Sequence, residues 1–313
     1  MLASAAAAQP ATPFAGDPNR PFWPPTERFA LWPGPPPGAP VKPIAPDWTM
    51  NGGEGNRELW IRGVAAPQVH VFRAAHPDGS AILSLPGGGY EFLSVQNEGI
   101  DVAERFNADR TTVFVLTYRL PGEGWTERSL APLQDAQRAM RLIRARAADF
   151  RIDPVRLGII GFSAGGHLAA DLAVSHEAST YARVDAADAL PARPAFAALI
   201  YPVTSFAVGL AHGGSRDNLL GLNASAELIA ARSPLQHVGA QTPPCFLVHA
   251  FDDGTVPVAN SIAWIAACEK ARVSVEAHLI AQGGHGFGLH LPRDNPGSRW
   301  PDLFALWLRQ HGG

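Results

Sequence analysis

The chain has 313 residues, of which 46% are hydrophobic, and its formal net charge is −3 at pH 7. This length suits one large α/β domain or two small ones, and the charge offers no basic field for nucleic acid or for a membrane surface. No apolar run approaches the ~20 residues that a membrane-spanning helix needs. The spacing of Cys245 and Cys268 matches no metal site, and we expect two core thiols, with one disulfide bridge as the alternative. We therefore expect no nucleic acid, membrane or metal among its partners, and the oligomeric state stays open.

Residues 1–47 differ in composition from the rest of the chain and contain 13 of its 29 prolines. Residues 1–8 lack a basic start, but the small residues Ala6 and Ala8 fit the end of a signal peptide. That interpretation implies a periplasmic or secreted protein, whereas a disordered Ala-rich start leaves a cytoplasmic one. Proline excludes helix and central strand here, and the aromatic residues predict an extended arm that packs on the globular body. A disordered tail is the alternative for residues 1–18. The aromatic residues of the arm are Phe14, Phe22, Trp23, Phe29 and Trp32.

Strand-like and helix-like patterns alternate through residues 48–313, which we expect to form one domain. The predicted strands are Gln68–Arg73 (an edge strand), Ala81–Leu85, Thr112–Thr117, Leu157–Ile160, Phe196–Tyr201, Phe246–Ala250 and Val273–Ile280. The predicted helices are Glu98–Asn107, Pro132–Ala148, Ala164–Ser175, Asn260–Ala271 and Trp300–Gln310. This alternation predicts an α/β fold, with a mainly parallel central sheet and helices on both faces. Glycine and small polar residues dominate residues 205–223, and we expect a small lid or cap around residues 204–240.

The pentapeptide Gly161–Gly165 (Gly-Phe-Ser-Ala-Gly) matches the pattern G-x-S-x-G. This pattern places its serine, here Ser163, on a sharp strand-to-helix turn with the hydroxyl exposed above a parallel sheet. A predicted strand precedes it and a predicted helix follows, which is the context that the pattern requires. The alternative is a glycine-rich turn in which Ser163 only caps the helix.

A serine hydroxyl is a weak nucleophile unless a base lies within hydrogen-bond reach and an acid orients that base. Asp252 and Asp253 directly follow a predicted strand, where a parallel-sheet enzyme builds its site. His285 lies later, in the glycine-rich segment Gly283–Phe287. The order Ser163, aspartate, His285 is that of an α/β-hydrolase triad, and the residues alone leave both aspartates open.

The chain resembles α/β-hydrolase esterases of the hormone-sensitive-lipase-like and carbohydrate-esterase type, which include acetylxylan esterases and feruloyl esterases. The resemblance covers about residues 81–308 and rests on four motifs in the same order. It implies an α/β-hydrolase fold. It also selects Asp253, because the acid in those enzymes typically lies four residues before the proline of D-x-x-V-P, as in Asp253–Pro257. Asp252 is then expected to cap a loop.

The fourth motif is the segment Pro86–Tyr90 (Pro-Gly-Gly-Gly-Tyr), at the place where the related enzymes usually carry His-Gly-Gly-Gly. The resemblance implies that the backbone N–H groups of Gly88, Gly89 and Ala164 form an oxyanion hole. Pro86 replaces the usual histidine. The backbone donors do not need that side chain, but any hydrogen bond that it makes is lost.

The resemblance further implies a serine carboxylester hydrolase that needs no metal or organic cofactor. It favours short acyl groups on carbohydrate, with O-acetylated xylan oligosaccharides as the first substrate, feruloyl esters as the runner-up and peptides third. The alternative of another class is a non-catalytic carbohydrate-binding protein on a hydrolase scaffold, since a fold does not decide a function.

Several other side chains are weaker candidates for substrate contact. Tyr90 would form a wall of the acyl pocket, Trp125 would stack on a sugar ring or pack on the core, and His290 would line the site entrance. Glu98 is expected to be a charge at a helix start. The remaining candidates are expected to be structural or loop residues: His167 below the serine turn, His249 inside a strand, and His212 and Arg216 in the small-polar segment.

Overall fold

The computed structural model describes residues 23–52 and 57–311. Residues 1–8, with the expected signal-peptide remnant, lie outside the described residues, as do Phe14 and Phe22 of the predicted arm. None of the described helices is both long enough and apolar enough to cross a membrane. Cys245 and Cys268 are both buried free thiols.

The described strands are β1 (Arg28–Ala30), β2 (Asp47–Asn51), β3 (Glu58–Arg62), β4 (Gln68–Phe72), β5 (Ala81–Leu85), β6 (Leu93–Ser94), β7 (Thr112–Thr117), β8 (Leu157–Phe162), β9 (Ala197–Ile200), β10 (Cys245–Ala250) and β11 (Val275–Ile280). The described α-helices are α1 (Asp101–Asn107), α2 (Ala131–Ala145), α3 (Ala147–Phe150), α4 (Ser163–Ser175), α5 (Gly213–Leu220), α6 (Ala226–Ala231), α7 (Ala259–Ala271) and α8 (Trp300–His311). A single π-helical turn, Gln96–Ile100, directly precedes α1.

The larger sheet has eight strands in the order β1-β4-β7-β5-β8-β9-β10-β11. The six strands from β7 to β11 in this order are parallel, whereas at one side β4 pairs antiparallel with β7 and β1 pairs antiparallel with β4. The central strands β5, β7 and β8 are buried at every position, as expected of strands covered on two faces. The mainly parallel sheet predicted from the sequence is confirmed.

Helices cover both faces of this sheet, which β8 shows directly. Gly161 faces α4, because a Cβ atom there would lie 2.6 Å from the side chain of Ala169. The next residue, Phe162, points to the opposite face, where its ring lies 6.5 Å from that of Trp300 in α8. The nucleophile candidate Ser163 thus leaves the sheet between two helical layers.

The prediction that residues 68–73 form an edge strand is wrong. The three-residue strand β1 pairs with β4 on its outer side, with Phe29 opposite Val69. The proline-rich segment therefore adds a strand to the main sheet. It also packs inward, since Trp23 and Trp32 are buried and the indole N–H of Trp32 donates to the buried Asp135 carboxylate at 2.9 Å.

A second sheet of three strands, in the order β2-β3-β6, lies outside the main one. All its pairs are antiparallel. The expected boundary between residues 47 and 48 falls inside β2. Through β3 and β6 this small sheet brings Glu58 and Ser94 to the wall of the cavity described below.

Candidate active site

Ser163 stands on the predicted turn between β8 and α4, with a φ of +52°. Both flanking glycines are required by close backbone contacts. A Cβ atom at Gly161 would lie 2.2 Å from the Gly165 carbonyl oxygen, and one at Gly165 would lie 2.0 Å from the Leu85 carbonyl oxygen. No side chain fits at either distance, so the turn presses the start of α4 against the end of β5. The serine is thereby held in a left-handed conformation that costs on the order of 1–3 kcal/mol.

The structure brings Ser163, His285 and Asp253 together from three loops. The Nε2 atom of His285 lies 2.8 Å from the Ser163 Oγ atom, and its Nδ1 atom lies 2.6 Å from the Asp253 Oδ2 atom. Because a carboxylate only accepts, the Nδ1 atom carries the proton and Nε2 is free to accept the serine proton. This tautomer is the one that a general base needs.

The Asp253 carboxylate also accepts hydrogen bonds from its own loop. Its Oδ1 atom accepts the Thr255 and Val256 N–H groups, both at 2.8 Å. A second imidazole, that of His249 in β10, lies with Nε2 3.2 Å from the Oδ2 atom. Burial works to raise the pKa of Asp253, but hydrogen bonds from His249, His285 and the Val256 N–H group outweigh it and hold the pKa well below its usual value. Asp253 therefore stays ionised beside the His285 imidazole.

Asp252 has a different task. Its Oδ1 atom accepts the N–H groups of Gly283 and Gly284, both at 2.8 Å, at the start of the loop that carries His285. The side chain is exposed, and its bonds join the end of β10 to the histidine loop, residues 281–290. It holds this loop without contacting the imidazole.

The segment expected to form the oxyanion hole, residues 86–90, follows β5 and is called the oxyanion loop below; it borders a cavity that also contains Ser163. Gly88 has a φ of +117°, and a Cβ atom there would lie 2.2 Å from the Phe92 carbonyl oxygen. Gly88 and Gly89 are half-buried and line the cavity beside Ser163. Ala164 lies in the first turn of α4, where helical N–H groups have no intrahelical partner. Gly88, Gly89 and Ser163 thus border one cavity, and Ala164 directly follows the serine.

Glu98 was expected to be a charge at a helix start, but it lies in the π-helical turn and is 3% exposed. Its Oε2 atom accepts the Gly87 N–H group at 2.6 Å, and its Oε1 atom accepts the Tyr201 hydroxyl at 2.9 Å. Burial raises the pKa of Glu98 to about 7, against the effect of these two hydrogen bonds and of His285. The sequence marked this position only as an acidic residue at the start of a helical pattern.

The cavity above Ser163 has a volume of about 400 Å³. Among the described residues that line this cavity, Phe92 is the only phenylalanine, tyrosine or tryptophan. A second and more polar cavity of about 680 Å³ adjoins it and shares Glu58, Asn97 and Gly286 with it. No cluster of three metal-ligating side chains occurs within residues 23–52 and 57–311.

Two sequence-predicted contact residues lie away from the cavity. Tyr90 is 1% exposed, and its hydroxyl bonds to the Nδ1 atom of His167 at 2.7 Å, so it is a support below the oxyanion loop rather than an acyl-pocket wall. Trp125 is also buried, and the Arg119 guanidinium lies over its ring, with the Cζ atom 5.0 Å from the ring centroid. It packs on the core and does not present a face to a sugar.

The structure places two other histidines at the cavities. His290 is exposed, pairs with Asp101 at 2.7 Å and lines the second cavity, and this hydrogen bond raises its pKa. His212 lines the first cavity, where its Nδ1 atom accepts the Ser215 N–H group at the start of α5. The segment expected to form a cap thus supplies one cavity wall through His212, Gly214 and Asn218.

Comparison with known proteins gives consistent similarities. Residues 73–267 match the BD-FAE family. The chain is 34% identical over 248 residues to an acetylxylan esterase of Xylanibacter ruminicola. This alignment covers 78% of this chain and 45% of that protein. The chain is 32% identical over 220 residues to endo-1,4-beta-xylanase B of Butyrivibrio fibrisolvens, covering 69% of this chain and 34% of that one. The chain therefore spans less than half the length of these curated relatives.

Among solved structures, an acetyl ester-xyloside bifunctional hydrolase from Caldicellulosiruptor lactoaceticus is 34% identical, with a TM-score of 0.72. The match covers 79% of this chain and 89% of that one. This similarity confirms the α/β-hydrolase fold expected from the four motifs. The matched family segment includes the serine turn and the Asp253 loop and extends over more than half of the chain. The chain belongs to the BD-FAE family.

Proposed function

We propose that this protein is a serine carboxylester hydrolase that removes short acyl groups, above all acetyl, from xylan-derived oligosaccharides. The observation that carries the proposal is the chain of hydrogen bonds from Asp253 through His285 to Ser163, which lines a cavity. The distances of 2.6 and 2.8 Å are within the range in which a base removes a serine proton.

The geometry supports a two-step reaction through an acyl-enzyme. His285 takes the Ser163 proton at Nε2 while the oxygen attacks the ester carbonyl carbon, and Asp253 stabilises the imidazolium. The N–H groups of Gly88, Gly89 and Ala164 hold the oxyanion. The imidazolium then returns the proton to the departing alcohol oxygen. Water, activated by the same imidazole, cleaves the acyl-serine bond and releases the acid.

The two adjoining cavities support a small acyl group and a polar alcohol. The space at Ser163 is small and has one aromatic ring in its described wall, whereas a feruloyl group would need a longer aromatic slot. The second cavity carries carboxylate and amide side chains, which suit the hydroxyl groups of a sugar. An O-acetyl sugar thus fits better than a feruloyl ester, which is the second candidate.

The named relatives support the same substrate class. An acetylxylan esterase and a xylanase are among the proteins that this chain is similar to, and the related solved structure is named an acetyl ester-xyloside hydrolase. Because this chain matches only 45% and 34% of the first two, xylan remains part of the proposal.

The test is release of acetate from O-acetylated xylo-oligosaccharides, with methyl ferulate as the competing ester and a Ser163→Ala protein as the control. We expect acetate release that disappears in Ser163→Ala. Release of ferulate alone would keep the mechanism and replace the substrate. Release of neither acid, together with binding of xylo-oligosaccharides, would instead support the non-catalytic alternative.

A further inference from the structure

The π-helical turn Gln96–Ile100 contacts both of the loops that build the site. Glu98 accepts the N–H group of Gly87, the residue directly before the two oxyanion glycines. Its neighbour Asn97 donates from Nδ2 to the Gly286 carbonyl oxygen at 3.0 Å, one residue after His285. One turn of backbone therefore holds the oxyanion loop on one side and the histidine loop on the other.

Tyr201 provides a second link between the same two loops. Its hydroxyl donates to the Glu98 Oε1 atom and accepts the Gly288 N–H group at 3.0 Å. Its ring lies 5.0 Å from the His285 ring. The φ of Tyr201 is +38°, an unusual value for a residue with a side chain. The strained backbone after β9 thus directs the phenol between Glu98 and the histidine loop.

The contact between Glu98 and the oxyanion loop lies directly behind the serine. A Cβ atom at Gly87 would lie 2.9 Å from the Glu98 Oε2 atom and 3.0 Å from the Ser163 Cβ atom. A single methyl group would therefore touch both side chains. The carboxylate thus contacts the backbone that leads directly into Gly88 and Gly89.

We propose that Glu98 is a positioning residue of this site, whose ionised carboxylate fixes the oxyanion loop directly and the histidine loop through Tyr201. This inference deepens the proposed ester hydrolysis and rests on it. Both bonding partners of the carboxylate act as donors, Gly87 through its N–H group and Tyr201 through its hydroxyl. A proton on Glu98 replaces one of the two acceptors by a donor, so the hold on the loops weakens when the carboxyl is neutral.

The surroundings of Glu98 place this change in an accessible pH range. Burial is the largest influence and raises its pKa to about 7. The titratable groups that face it are His285 on the histidine loop, Glu58 on β3, and the buried phenols of Tyr118 and Tyr201. A charge on His285 lowers the pKa of Glu98, and the charge of Glu58 raises it. The hold on the loops is therefore half lost near pH 7, nearly complete about one pH unit above that value, and lost as the pH falls further.

The experiment compares kcat of the full chain and of a Glu98→Gln variant between pH 5.5 and about 8.5, with phenyl acetate as substrate. Glutamine has the shape of the protonated side chain. Because a loop misplaced by 1 Å costs about 100-fold, we expect kcat to fall by about 10- to 100-fold at pH 8, with a much smaller change in KM. The ratio of the two rates should fall steadily towards one as the pH decreases below 7, because the parent carboxyl is then increasingly protonated.

Two further variants make the result decisive. Glu104→Gln, an exposed position on α1, is the matched control and should follow the parent at every pH. Tyr201→Phe removes one donor from the carboxylate, so the acid limb of the kcat profile should move to higher pH.

A ratio of parent to Glu98→Gln rates that stays constant with pH would overturn the proposal, because a purely structural defect scales all rates equally. If Glu98→Gln does not fold, an unmoved limb in Tyr201→Phe overturns it instead. Failure of the ester-hydrolase assignment is distinguishable from both results, since the parent protein would then release no more acetate than Ser163→Ala.

Discussion

Replacing Asp253 by asparagine should abolish most activity without changing the shape of the side chain. In the structure the Oδ2 atom faces the N–H groups of His285 at 2.6 Å and His249 at 3.2 Å, while the Oδ1 atom faces the N–H groups of Thr255 and Val256. Every group around the carboxylate thus acts as a donor. The amide of asparagine offers only one acceptor oxygen to these four donors.

Neither orientation of the new amide relieves this conflict. With its nitrogen at the Oδ2 position it opposes His285, and the imidazole has to move its proton to Nε2, facing Ser163. With its nitrogen at the Oδ1 position it opposes two backbone N–H groups of its own loop. The first outcome leaves the base in the wrong tautomer, and a defect of that kind lowers kcat by about 10⁴-fold. We therefore expect a loss of that order for Asp253→Asn.

Asp252→Asn is the matched control, with the same chemical change one residue away. Its oxygen still accepts from Gly283 and Gly284 on an exposed loop. Weakening such hydrogen bonds is worth about 0.5–1.5 kcal/mol, so we expect no more than about a tenfold effect. The assay is kcat for acetate release at pH 8, with thermal unfolding to verify folding. A greater loss in Asp252→Asn than in Asp253→Asn would refute this assignment of the acid.

Three other outcomes are expected. Gly165→Ala should prevent folding, because its Cβ atom would lie 2.0 Å from a backbone oxygen. Gly122 has open space around it, so Gly122→Ala should change the free energy of unfolding by less than about 0.5 kcal/mol. Denaturant titration of the two variants tests this difference. Burial lowers the pKa of His70 and of His167 to about 3. At pH 5 both imidazoles are therefore still neutral in the folded protein, whereas they bind protons in the unfolded chain. Each should therefore lose about 2 kcal/mol of stabilisation as the pH falls from 7 to 5, and glutamine at either position should reduce this acid sensitivity of the unfolding free energy. Trp32→Ala should lower the unfolding free energy by about 3–5 kcal/mol; an unchanged melting temperature would contradict the packing of the proline-rich segment.

The elements that the sequence predicts best are those whose burial follows from their own residues. The strands Ala81–Leu85 and Thr112–Thr117 match β5 and β7 at both ends. Each is a short apolar or β-branched run that is buried on both faces, so its identity does not depend on a particular partner. The last helix was predicted within one residue of α8, because its apolar periodicity is equally local.

The small sheet was not predicted, because its strands exist only through their partners. β6 is two residues long and shows no pattern of its own, and β3 pairs with it through Trp60 and Ile61. The same reason explains the error about β4. Its outer partner is a three-residue strand within a proline-rich segment, where the composition argued against strands.

At the site, the order of motifs predicts which catalytic candidates lie together. It does not predict the residues that support them, because these lie far apart in the sequence. Gly87 and Tyr201, which donate to the Glu98 carboxylate, lie 11 and 103 residues from it. Tyr90 and Trp125 failed as contact residues for a different reason. Tyr90 itself has a positive φ, and Trp125 directly follows Gly124, which has one. In both cases this backbone turn directs the ring into the core.

Backbone strain at the site is matched by hydrogen bonds from the strained residues themselves. Tyr90, Ser163 and Tyr201 have φ values of +61°, +52° and +38°, and each such conformation costs on the order of 1–3 kcal/mol. Each of these residues is at most 6% exposed, and its hydroxyl has a defined partner: His167, His285 and Glu98, respectively. An unmade bond from a buried hydroxyl would cost about 1–3 kcal/mol, which is comparable with the strain. The strained turns and the side-chain bonds therefore stabilise one another.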